Sequence, residues 1–121
     1  MRETIKELLR NDTELMELLG GKTDKLRRVY SVTSITEELP RLTVAELYSI
    51  PEGGADNEAV LENGAYRITL YSKQKNFSAI IKRIRTILKN SFRDSIVSVD
   101  GDGYEKDTGV YSKSIKIEIM I

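Results

Sequence analysis

The sequence predicts an α+β domain built from a single, mainly antiparallel sheet with helices packed on one face. Three observations carry this. Apolar residues recur at three- and four-residue spacing near the N-terminus and again between Phe77 and Phe92, the period of a half-buried helix. Elsewhere they alternate, most strictly over residues 65–72 and 112–121, the period of a strand with one covered face. A length of 121 residues fits one domain, residues 1–121, able to bury about two thirds of its unfolded surface without disulfide or metal staples.

Ile5, Leu8 and Leu9, then Leu15, Met16, Leu18 and Leu19, predict a short helix pair or one broken helix. Asn11 or Asp12 caps the second segment, with Glu14 three residues after Asn11 as in a capping box, and Gly20-Gly21 ends it. Residues 28–32 read as a short strand and residues 42–48 as a longer one after Pro40. Pro51, Gly53, Gly54 and Gly64 bracket a polar stretch through Asn63, a loop of unusual length for a compact domain.

In residues 65–72, Tyr66, Ile68 and Leu70 oppose Arg67, Thr69 and Tyr71, giving a strand with one buried face. Phe77, Ile80, Ile81, Ile84, Ile87, Leu88 and Phe92 form the stripe of the clearest helix, with Asn76 or Ser78 as cap. Residues 96–100 resume strand character, Gly101-Asp-Gly103 makes a turn, and the last strand puts Ile115, Ile117, Ile119 and Ile121 on one side. An apolar face of that length argues for a strand held inside the sheet.

Missing residue types exclude much chemistry. With no Cys and no His, the chain has no thiolate nucleophile, no disulfide and no imidazole base or ligand. A carboxylate magnesium site is the only metal site left to consider. Asp100, Asp102 and Asp107 are its foothold, but a calcium loop needs ligands at fixed alternate positions between helices, and no phosphate-cradling loop accompanies these acids. The expectation is no catalytic site, no cofactor and no metal. The first residues mix both charge signs without a signal-peptide core, and no apolar run approaches the ~18 residues that span a bilayer. The chain is expected to be soluble, with no membrane partner and no cleaved signal.

Nineteen bases balance nineteen acids, so any electrostatic partner must be read by a local patch. Lys73, Lys75, Lys82, Arg83, Arg85, Lys89 and Arg93 occur without an intervening acid, while Glu52, Asp56, Glu58 and Glu62 occur without a base. Separately, the first reads as a phosphate-binding surface or a solvated helix face, and the second as a solvated loop. Together, Lys82, Arg83, Arg85, Lys89 and Arg93 against Glu52, Asp56, Glu58 and Glu62 are what a head-to-tail contact between identical copies can use. Of the six tyrosines, five lie on or beside expected strands, where sheet packing favours them and one or two could serve an interface.

The N-terminal helical region closing on Gly20-Gly21 and the Arg28-Val-Tyr30 strand come first in a longer pattern. Pro40-Arg-Leu-Thr-Val44, Asn57-Glu58-Ala59, Tyr66-Arg-Ile-Thr-Leu-Tyr-Ser-Lys73, the amphipathic helix and Asp107-Thr-Gly-Val-Tyr111 follow in order. In that order and spacing the chain resembles the tail-completion or tail-terminator proteins of long-tailed bacteriophages and prophages, which include tail-to-head joining proteins. The resemblance covers nearly the whole chain and implies a tail-terminator-like fold and a non-enzymatic virion protein.

Such proteins form a ring, typically of six subunits, at the head-proximal end of the tail tube. There they stop tube growth and present a surface to the head connector. The implied partners are the chain itself, the tail tube protein and a head connector or head-completion protein. DNA passes through the ring without specific binding, so the bore should be neutral or acidic, which favours the acidic loop over the basic helix as a bore or tube contact. The implied location is the head–tail junction of a virion assembled in the host bacterial cytoplasm. The alternatives are another neck protein, such as a head-completion or adaptor protein, and a small nucleic-acid-binding module using the basic helix.

Overall fold

A computed structural model describes residues 2–19, 29–30, 40–52, 61–73 and 77–119. In chain order the elements are α1 (Arg2–Arg10), α2 (Thr13–Leu19), β1 (Val29–Tyr30), β2 (Arg41–Glu52), β3 (Leu61–Ser72), α3 (Ser78–Ser91), β4 (Ile96–Glu105) and β5 (Val110–Ile119). The five strands form one sheet in the order β1-β2-β3-β5-β4. Only β1 and β2 run parallel; the other three pairings are antiparallel. This is the expected α+β class.

Alternation decides which face is covered. Ladder partners point to the same side, so Val44, Ile68, Ile115 and Val99 share one face, as do Leu42 with Leu70 and Tyr66 with Ile117. That face meets the helices, and Tyr66, Ile68, Leu70, Ile115, Ile117 and Ile119 are buried in one core with Ile81, Ile84, Ile87 and Leu88 of α3. Ile5 and Leu9 of α1 and Leu15, Met16 and Leu19 of α2 complete it. As the alternation of residues 112–121 implied, β5 lies inside the sheet, between β3 and β4; Ile121 falls outside the described residues.

Several local expectations are corrected. Both ends of the polar stretch around residues 49–64 are strand: β2 continues to Glu52 and β3 starts at Leu61, with Ser49 opposite Gly64 and Pro51 opposite Glu62, while residues 53–60 lie outside the described residues. Backbone pairing along a hairpin satisfies donors and acceptors that a long loop would leave to water. The register shifts between Glu46 and Tyr48, a bulge that increases local twist. Gly101-Asp-Gly103 is not a turn but lies within β4, after a second irregularity between Val99 and Gly101. Gly103 fits there because a Cβ would come within 2.7 Å of the Ser112 hydroxyl. The turn is instead residues 106–109, closed by the Gly109 amide donating to the Glu105 carbonyl at 2.8 Å. Gly109 has φ +70, a left-handed conformation that costs a glycine little.

Caps also differ. Asp12, not Asn11, caps α2: its carboxylate accepts the Leu15 amide at 2.8 Å, and Glu14 turns to α3 instead of closing a capping box. The N-cap of α3 is Phe77, without a side-chain hydrogen bond; its ring packs edge-on to Tyr111, centroids 6.5 Å apart. Of the strand expected over 28–32, Val29 and Tyr30 are strand, and residues 28, 31 and 32 lie outside the described residues. Gly20, Gly21 and Asn76 lie outside the described residues.

Truncating Ile84, fully buried in α3, opens a cavity against the sheet; Ile84→Ala should cost about 2–5 kcal/mol in urea unfolding. Ile96→Ala, at a half-exposed position on β4, should change stability by no more than about 0.5 kcal/mol.

Candidate functional site

The bases of α3 point three ways. Arg83 faces α2: its Nε and Nη2 donate to the two Asp12 carboxylate oxygens at 3.0 and 2.6 Å, and its Nη1 lies 3.1 Å from Glu14 Oε2. This fork matches a carboxylate in both charge and plane and ties α3 to the start of α2. The hydrogen bond from Arg83 holds the Asp12 carboxyl below the ordinary carboxylate range; burial opposes the shift and the Leu15 amide reinforces it. Lys89 donates to the Ser95 carbonyl at 2.7 Å and fastens the chain leaving the helix. Arg93 is exposed in the turn beyond it.

Lys82 and Arg85 point elsewhere. Together with Lys113 of β5 they line a groove of about 480 Å³ between α3 and the β4–β5 ladder, whose apolar wall is Phe77, Ile81 and Val99. Neither Lys82 nor Arg85 has a carboxylate partner among the described residues. Lys113 stands 3.8 Å from Asp102, its ladder partner. Val99 is 49% exposed, a high value for a valine on the helix-facing side of a sheet. At the groove's Phe77 end, Tyr111 stacks on Tyr104 with centroids 4.5 Å apart.

The sequence-based reading missed Lys113 and Val99 as groove residues. The signal was present in β5: the alternation that buries Ile115, Ile117 and Ile119 puts Lys113 on the same side. A cation on the covered face marks where the cover ends.

The opposite sheet face is mainly polar, and Arg67 and Lys116 on it are each paired with an acid. Arg67 bonds Asp100 at 2.5 Å, Lys116 lies 3.2 Å from Glu118, Thr69 shares a hydrogen bond with Ser114 at 3.0 Å, and the Arg41 guanidinium sits 5.0 Å over the Tyr71 ring. Asp100 and Asp102 are thus each engaged by a base, and no group of three acids placed to hold a metal occurs among the described residues. Of the acidic stretch, Glu52 and Glu62 are on the paired backbone at the far end of the β2–β3 hairpin, and Asp56 and Glu58 lie outside the described residues. No helix among the described residues is long and apolar enough to cross a membrane.

This arrangement offers surfaces for contact. Residues 3–121 match the family described as Tail completion protein gp17. The chain belongs to that family. No curated protein matches it. Membership makes this tail completion protein a structural part of a phage tail, and so a component of the virion that acts through contacts with other phage proteins. The exposed apolar residues of its outer strand, Ile96, Val99 and Tyr104, suit such contacts, because β4 has no neighbour on its outer side among the described residues.

The Arg83–Asp12 fork predicts an acid-sensitive tail completion protein. A carboxyl with a lowered folded pKa contributes stability that is fully present above its unfolded pKa, about 4, and is lost as the pH falls through the folded value. Asp12→Asn keeps a capping side chain but removes the charge. Its melting temperature should lie a few degrees below wild type at pH 7, and the gap should close as thermal melts are taken below pH ~4.

Proposed function

We propose that this chain acts as one tail-terminator-like domain that assembles with its own copies into a ring, of six subunits, at the head-proximal end of the tail tube. One face of the ring docks on the last tube ring; the other offers no edge for a further ring and instead meets the head connector or a head-completion protein. Growth stops, and the tail is joined to the head. The product of such a protein is geometry, without turnover. The observation that carries this reading is the family match across residues 3–121.

Two features of the fold support it. Among the described residues the sheet has an open outer edge at β4, with apolar side chains exposed along it, as a subunit that must pair with neighbours requires. The polar sheet face cancels Arg67 with Asp100 and Lys116 with Glu118, so it would not hold DNA moving past it, and a bore needs a surface of that kind. The nucleic-acid-module alternative loses ground because Arg83 and Lys89, two of its five helix bases, are spent inside the chain.

Adding the protein to polymerising tail tube protein should shorten the tubes and leave a ring visible at one end by electron microscopy. Tubes of unchanged length with bare ends would overturn the reading.

A further inference from the structure

The groove walled by Phe77, Ile81 and Val99 and edged by Lys82, Arg85 and Lys113 combines cations with exposed apolar area. A duplex backbone has little use for the apolar wall, whereas an acidic peptide with small apolar residues fits both halves. This sequence contains one. Residues 52–62 hold Glu52, Asp56, Glu58 and Glu62 without a base, with Ala59, Val60 and Leu61 between the last two acids. We propose that the groove receives the acidic stretch, residues 52–62, of a second copy of this chain.

Geometry separates the acidic stretch from the groove within one chain. Lys113 is opposite Leu70, and Val99 is opposite Ile115, which in turn is opposite Ile68. Leu61 starts β3 at the other end, seven and nine residues away along the strand, or roughly 23–30 Å at ~3.3 Å per residue. The connection from Glu52 to Leu61 holds only residues 53–60, so doubling straight back it reaches about 15 Å. Backbone reach alone leaves residues 53–60 short of the Val99 and Lys113 rungs of the same chain.

The two complementary surfaces therefore sit at opposite ends of one sheet, which makes the contact heterologous: each copy gives its acidic stretch to one neighbour and its groove to the other. Such contacts close into rings when the rotation per subunit allows. The inference deepens the ring reading and rests on it, supplying the subunit contact that reading leaves open.

The absence of cysteine makes the test clean. Glu58→Cys in one chain and Arg85→Cys in another should form a mixed disulfide under mild oxidation, in solution or on tail tubes, while Glu58→Cys with Lys116→Cys, on the polar face, should not. Equal cross-linking of Glu58→Cys to both positions, or to neither, would overturn the proposal. In cysteine-free chains, the charge reversals K82E/R85E and D56K/E58K should each weaken self-association or tube capping about tenfold or more, and mixing the two reversed chains should restore a contact.

Wild-type capping by both reversed variants would sink the groove contact and leave the terminator reading standing. A wild type that fails to cap tubes while the Glu58–Arg85 disulfide still forms would do the opposite. Salt-sensitive DNA binding that K82E/R85E abolishes, with no cross-link, would assign the groove to a polyanion and overturn the contact between copies.

Discussion

Tyr66, Ile68 and Leu70 of β3 and Ile115 and Ile117 of β5 project to the same side of the sheet, and α3 lays Ile81, Ile84, Ile87 and Leu88 against them. Burial of this one face is the constraint on which the rest depends. It is non-directional and scales with apolar area, at roughly 25 cal/mol per Å², so it brings helix and sheet together without dictating their alignment. The alignment comes from polar contacts at the helix ends. Arg83 locks α3 to Asp12 and Glu14 at the start of α2, and Lys89 locks its exit to Ser95.

A sheet covered on one side leaves the other to water. In this chain that second face is not merely hydrophilic: its ionic and hydroxyl groups are matched to one another across β3, β4 and β5. The helix-covered side is where Lys82 and Arg85, without a carboxylate partner among the described residues, line the flank of α3 that faces Val99 and Lys113. The result is a groove that combines cations with exposed apolar side chains. For a member of a tail completion family, whose work is to be recognised by neighbours, the position of such a groove matters more than any titratable cluster.

The outer strand β4 combines exposed apolar side chains with features that restrain edge pairing. β4 presents Ile96, Val99 and Tyr104 to its surroundings, but it is interrupted by an irregularity after Val99 and carries Asp100 and Asp102 with Gly101 and Gly103. Bulges and charges of this kind discourage indiscriminate edge pairing, leaving association to a partner that satisfies side chains as well as backbone. At the other end, β2 and β3 stay paired out to Glu52 and Leu61. That puts the backbone of Glu52 and Glu62 at the far end of the ladder.

Residues 65–72, 77–92 and 112–121 were legible from periodicity alone, as were the fold class, the central place of the last strand and the absence of thiol and imidazole chemistry. Each of these follows from residue type and spacing, which act locally and through a single apolar face. The ends of elements were not legible in this way. Gly101 and Gly103 read as a turn because glycine is a turn residue in isolation, and only the ladder with β5 turns them into strand; Pro51 and Gly64 read as loop for the same reason, until β2 and β3 pair across them. The basic run on α3 was visible as charge, but its division was not. Arg83 meets an acid 71 positions earlier in the chain, Lys82 and Arg85 share a groove with a lysine from the last strand, and contacts between residues so far apart in sequence exist only once the chain has packed.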